Sequence, residues 1–184
     1  MSDHLVTEAL RFPIGKFTKP EDITADHIKE WVEDIALFPS RLIRLTAKLS
    51  ESDIEKTYRE GSWTIRQVVH HCADSHMNSL VRFKWTLTED TPEIKAYYED
   101  RWAVLADSKM PLSISLTFLE ALHQKWVYLL KSLDANDLKK SFIHPEHGKQ
   151  FTLAENIGVY AWHCNHHLAH IRLALGLQAD NRDA

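Results

Sequence analysis

Glycine and proline are scarce in this chain, five and six of 184 residues, and cysteine is rarer still at two. So few breakers leave long stretches free to be helical and exclude collagen-like or Pro/Gly-rich disordered chains. Two cysteines, Cys72 and Cys164, could close one disulfide at most, which excludes a disulfide-stapled scaffold. Each sits beside a histidine, but neighbours on a helix point about 100° apart and cannot converge on one ion. Both are therefore expected as buried, reduced thiols rather than metal ligands.

Long apolar runs are missing too, so no membrane partner is expected. The start, Met1-Ser2-Asp3-His4, lacks a charged region followed by an apolar stretch, and the default expectation is a cytoplasmic protein. Basic charge is not in excess. A net charge of −4, with no basic stripe interleaved with aromatics, argues against nucleic acid and anionic membranes as partners. No repeat, low-complexity tract or composition shift marks a linker, so 1–184 reads as a single domain. At 44% hydrophobic and 26% charged residues it can bury a core without a structural metal. The six tryptophans, Trp31, Trp63, Trp85, Trp102, Trp126 and Trp162, read as core or interface.

What is present is helix. The pattern predicts four long helices, at about Ala25–Leu49 with a kink at Pro39, Ile65–Leu87, Leu112–Leu133 and Leu153–Leu177. Shorter pieces are predicted at Asp53–Lys56, Tyr98–Ala106 and Ala135–Leu138. Residues 142–151 read as a turn between short extended arms, punctuated by Pro145 and Gly148. Thr64-Ile65-Arg66-Gln67 and Thr152-Leu153-Ala154-Glu155 are capping boxes that fix where the second and fourth helices begin. The fold class is all-α, a four-helix bundle with short extra helices and a small hairpin before the last helix.

Histidine is the anomaly: 12 in the chain, three of them in 70–76 and four in 163–170. Counted round the fourth helix, His163, His166, His167 and His170 fall on one arc beside the apolar stripe. Two i,i+4 pairs result, His163/His167 and His166/His170. Either can chelate a metal, and the first is favoured because it lies nearer the apolar centre, whereas the second leans towards solvent. On the second helix His76 falls in the core stripe and reads as a packed histidine. His71 lies in line with Ser75, Asn78 and Arg82, and His70 points towards Asp74 and Met77. Periodicity does not choose the third ligand among them.

The stretch Trp63-Thr64-Ile65-Arg66-Gln67-Val68-Val69-His70-His71-Cys72-Ala73-Asp74-Ser75-His76 resembles the second helix of the YfiT-like metal-dependent hydrolases of the DinB superfamily. The similarity extends from Phe12-Pro13-Ile14-Gly15-Lys16-Phe17, through Glu60-Gly61-Ser62-Trp63 and His144-Pro145, to Trp162-His163-Cys164-Asn165-His166-His167-Leu168-Ala169-His170. It implies a DinB/YfiT-like four-helix bundle, with roughly the first 20 residues as an extended arm. It also implies one divalent ion per chain on His71, His163 and His167, water completing the shell, and a homodimer.

Three neutral imidazoles leave a divalent ion its charge and open positions, the chemistry of hydrolysis at a small-molecule substrate. Zinc is the default and nickel the second choice. The glutamate of a zinc protease, directly after the first histidine, is absent; Cys164 stands there. Candidate pocket residues are Asp74 and the outer histidines, His170 among them, as a general base, with Ser75, Asn78 and Arg82 along the strip. Arg82 would serve an anionic substrate, although an arginine in such a place is ordinarily a surface residue. Two alternatives use the same ion: transfer of a low-molecular-weight thiol, or metal binding in a stress protein without turnover.

Overall fold

A computed structural model describes residues 8–146 and 148–179. The first seven residues of the expected arm, and His147 of the expected turn, lie outside the described residues. Four long helices form: α1 (Ala25–Thr46), α2 (Ile65–Thr88), α3 (Leu112–Lys131) and α4 (Leu153–Ala174). The starts of α2 and α4 are the two boxes read from sequence. The Thr64 hydroxyl accepts from the Gln67 N–H and the Thr152 hydroxyl from the Glu155 N–H, with both reciprocal bonds made. Helix α1 has the same device in an unexpected form, since the ring Nδ1 of His27 accepts from the Thr24 N–H at 3.2 Å. Three helices stop short of the sequence expectation. Helix α4 closes at Gly176, which supplies the positive φ of 73° that ends a helix cheaply.

Helix α1 packs on α3 and α4, and so does α2, which leaves α1/α2 and α3/α4 as the diagonals of the bundle. Helices consecutive in sequence at either end are thus not neighbours. The long connections this requires carry the short elements: helical turns at Glu51–Ile54 and Glu99–Trp102, and 3-10 turns at Ala106–Lys109 and Asp137–Lys139. The hairpin before α4 pairs β1 (Ser141–His144) with β2 (Lys149–Thr152), antiparallel, with Phe142 opposite Phe151.

The core is one cluster from all four helices, centred on Ile35, Phe38, Phe83, Leu119, Trp126 and Ile157, with Cys72 and Cys164 inside it. Of the six tryptophans, Trp85 departs from expectation and is exposed, being at the solvent side of α2. Among the described residues no helix is long and apolar enough to cross a membrane.

The segment before α1 lies against α4. Residues 8–11 make a helical turn, and the chain then runs past α4 with Trp162 Nε1 donating to the Gly15 carbonyl at 3.0 Å. Gly158 makes this approach possible, because a Cβ there would stand 2.9 Å from the rings of Phe17 and Trp31.

Helix α1 passes through Pro39 without interruption. Proline has no N–H to give to the carbonyl four residues back, so the helix leaves the Ile35 oxygen without its ordinary donor. That oxygen is buried, and His123 of α3 fills the gap, with Nδ1 at 2.7 Å.

Candidate metal centre

His71 of α2 and His163 and His167 of α4 meet where these helices face each other, each offering a nitrogen within 4.8 Å of the other two. The Nε2 atoms of His71 and His163 are 3.3 Å apart. Two nitrogens bound tetrahedrally at zinc distances of about 2.0–2.1 Å would stand about 3.3–3.4 Å apart, so that pair already has the spacing an ion needs. Burial, the largest influence on each, holds all three imidazoles below their usual pKa, His71 at about 4 and the other two well below 6.5. They are neutral at neutral pH, as ligands must be.

The orientation of each α4 candidate ligand is set from behind. His123 donates from Nδ1 to the Ile35 carbonyl, which can only accept, so a neutral His123 has a bare Nε2. That atom is 2.7 Å from His76 Nδ1, which must then carry the proton. The bare Nε2 of His76 is in turn 3.0 Å from Nδ1 of His163. His163 is thereby left with its proton on Nδ1 and its lone pair on Nε2, facing His71. A shorter chain acts on His167. His170 Nε2 lies 3.1 Å from the Arg11 carbonyl, and its Nδ1 lies 3.4 Å from His167 Nδ1, leaving the lone pair of His167 on Nε2. Metal-bound histidines are commonly held by a hydrogen bond at the other ring nitrogen, and here both α4 histidines are. The donor set fits a divalent ion.

The same bonds correct the expectation for the outer pair. His166 and His170 are 7% and 3% exposed rather than solvent-facing, because the arm covers them. Phe12 and Trp162 lie against His166, and Tyr58 stacks on His170 at 3.8 Å. Both nitrogens of His170 are taken, and Nδ1 of His166 is buried without a hydrogen-bond partner among the described residues, so this pair is not arranged to chelate. His76 is packed as expected, yet its role as a link depends on His123, which no periodicity signalled. His70 turns to α3, with Nδ1 2.7 Å from the Ser115 hydroxyl and Nε2 3.0 Å from the Met110 carbonyl.

Two cavities meet at His163, Glu99 and Asp100. One, of about 470 Å³, is lined by all three candidate ligands with His166, His170 and Arg59. The other, of about 650 Å³, runs between α2, α4, the hairpin and residues 96–101, and holds Ser75, Arg82 and Tyr160. The Tyr160 hydroxyl donates to the Ser75 carbonyl at 3.2 Å. Of the other strip residues, Asn78 donates to the Asp74 carbonyl at 2.9 Å and lines neither cavity. Asp74 also lines neither; burial and then Asp107 push its carboxyl up to about 6. Arg82 is not a surface residue, because residues 96–101 and the hairpin cover it. Glu99, absent from the sequence reading because it lies in a connection, stands at the lip of both cavities. Lost hydration, then Asp100 and Glu146, raise its proton affinity.

A family model described as the DinB superfamily matches residues 35–171. A Bacillus cereus (strain 03BB102) protein named "Putative metal-dependent hydrolase" is 51% identical over 162 residues, covering 88% of this chain and 93% of the relative. A Halalkalibacterium halodurans protein with the same description is 47% identical over 165 residues, 90% of this chain and 96% of its own. Among solved structures, YfiT from Bacillus subtilis, described as "a probable metal-dependent hydrolase with an unusual four-helix bundle topology", superimposes with a TM-score of 0.88 at 40% identity. That alignment covers 92% of this chain and 99% of YfiT.

Proposed function

The chain belongs to the DinB superfamily, and on that premise we propose that it is a metal-dependent hydrolase of a small-molecule substrate. The observation that carries the reading is the convergence of three neutral imidazoles from two helices within 4.8 Å, beside cavities large enough for a small molecule. His71, His163 and His167 would hold the ion. Imidazole donors suit zinc first and nickel second. When bound, such an ion supplies Lewis acidity to a substrate oxygen and makes water acidic near neutral pH.

The remaining work falls to the chain itself. His76 and His170 hold the α4 ligands with their lone pairs inward. Trp63, its ring centroid 4.6 Å from that of His71, and Tyr58 over His170 shield the imidazoles from bulk water. Glu99 is the lining carboxylate best suited to take a proton and return it, since its proton affinity is already raised.

Elemental analysis tests the reading. Protein purified without chelator and then offered zinc or nickel takes up about one ion per chain, and His163→Ala or His167→Ala loses it. A panel of esters, amides and phosphoesters then shows turnover that a chelator abolishes and the ion restores. Absence of stoichiometric uptake overturns the proposal. Turnover that requires an added low-molecular-weight thiol moves the chain to thiol transfer.

A further inference from the structure

Arg82 carries its charge into the fold with no carboxylate in contact among the described residues. It stands on α2 about three turns beyond His71 and is 8% exposed, on the wall of the cavity of about 650 Å³. Its Nε is buried and lacks a hydrogen-bond partner, and among the described residues no carboxylate pairs with its guanidinium. Removing a guanidinium from water is costly unless an anion or a set of acceptors replaces the lost hydration. The side chains around it do not, so the cavity is where a ligand would.

The rest of the lining narrows the chemistry. Arg82 and Arg101 face Glu99, Asp100 and Glu146, a balance of two cations against three anions. A phosphate monoester, approaching two negative charges at neutral pH, meets that acidic lip unfavourably. A carboxylate carries one charge, and its two oxygens match the planar fork of a guanidinium. Phe142, Phe151, Val159 and Tyr160 add apolar and aromatic wall to the same cavity, which His163 also lines.

We propose that this cavity binds a small monocarboxylate with an apolar or aromatic body, its carboxylate on Arg82 and its reacting bond towards His163. The placement of the reacting bond rests on the hydrolase reading; the anchoring of the carboxylate does not.

The test is calorimetric titration of the metal-free full-length chain, so that no ion can hold the acid. The probes are phenylpropionate, indolepropionate and hexanoate, each compared with its neutral amide and with the phosphate monoester of the matching alcohol. At least one acid binds, with its amide and its phosphate ester at least about tenfold weaker, the range expected for a lost charge-assisted contact. Arg82→Gln weakens the acid by about tenfold or more and leaves its amide unchanged, while Arg82→Lys recovers part of the loss. Equal binding of acid and amide, tighter binding of the phosphate ester, or no binding by any probe overturns the proposal. Should Arg82→Gln fail to fold, the acid and amide on the wild-type chain decide it alone. Zinc uptake is measured separately. A chain that takes up zinc but ignores the acids loses only this inference, and one that binds the acids but takes up no zinc when offered it loses only the hydrolase.

Discussion

His123 occupies the backbone oxygen that Pro39 leaves without a helical donor: its Nδ1 is 2.7 Å from the carbonyl of Ile35, four residues before the proline. From that contact the protonated nitrogen of each next ring follows, through His76 to His163. The chain ends on a buried carbonyl, so it cannot conduct protons to solvent. It orients.

In metal-free protein labelled with nitrogen-15 in its histidines, His123, His76 and His163 are therefore each expected with the proton on Nδ1, the less common form of neutral imidazole in water. Long-range proton–nitrogen spectra read this directly. His123→Phe removes the anchor, mixes the forms of His163 and lowers zinc affinity by about 10–100-fold in chelator competition. A proton found on Nε2 of His163 in the wild-type chain contradicts the assignment.

Stability of the metal-free chain falls with acid earlier than carboxylates alone would cause. Burial holds His123 at about 4, against about 6.5 unfolded, and the Ile35 hydrogen bond offsets only part of this. As pH drops the unfolded chain takes the proton first, so this stability is complete above about 6.5 and is lost down to about 4. The loss from His123 is on the order of 3 kcal/mol. His71, His166 and His170 act in the same direction, whereas Asp74, raised to about 6, acts against them. Urea midpoints across this range should fall steadily, with a shallower slope for His123→Phe. A flat profile would show that these histidines titrate in the fold as they do in the unfolded chain.

Gly158→Ala tests how closely the arm sits. Helical preference alone would favour alanine by about 1 kcal/mol. The new methyl would stand 2.9 Å from the rings of Phe17 and Trp31, and such overpacking costs about 1–3 kcal/mol. A net loss on the order of 1 kcal/mol is expected, together with faster proteolysis before residue 20. A net gain in the thermal midpoint would mean that the two rings yield freely.

Cys72 and Cys164 should stay unmodified by a thiol-specific reagent in the native state and react on unfolding. Both are fully buried, and burial raises their thiols far above neutrality. Rapid reaction of either without unfolding would show that the core opens between α2 and α4.

Local signals were legible in the sequence. The hydroxyl and Gln or Glu of the two boxes lie three residues apart, so α2 and α4 could be started correctly from residues alone. The His163/His167 spacing is equally local, and the structure does bring both nitrogens to one place with His71. What could not be read depends on contacts between distant segments. His76 and His123 are 47 positions apart on different helices, and only the packing of α2 against α3 joins them. Pro39 is visible in the sequence, but the distant histidine that takes up the carbonyl it leaves without a helical donor is not. His166 and His170 look solvent-ward on a helical wheel, which contains no arm to cover them. Arg82 looks like surface until residues 96–101 and the hairpin close over it.

The Arg11 carbonyl that holds His170 comes from upstream of the bundle, outside the family-matched span of 35–171. A recombinant version begun at residue 20 would keep all four helices and lose the oxygen that sets the far ring of the shorter chain. It would retain the bundle and still present His167 to an ion in the wrong form. Any shortened version meant for metal studies therefore has to begin before Arg11.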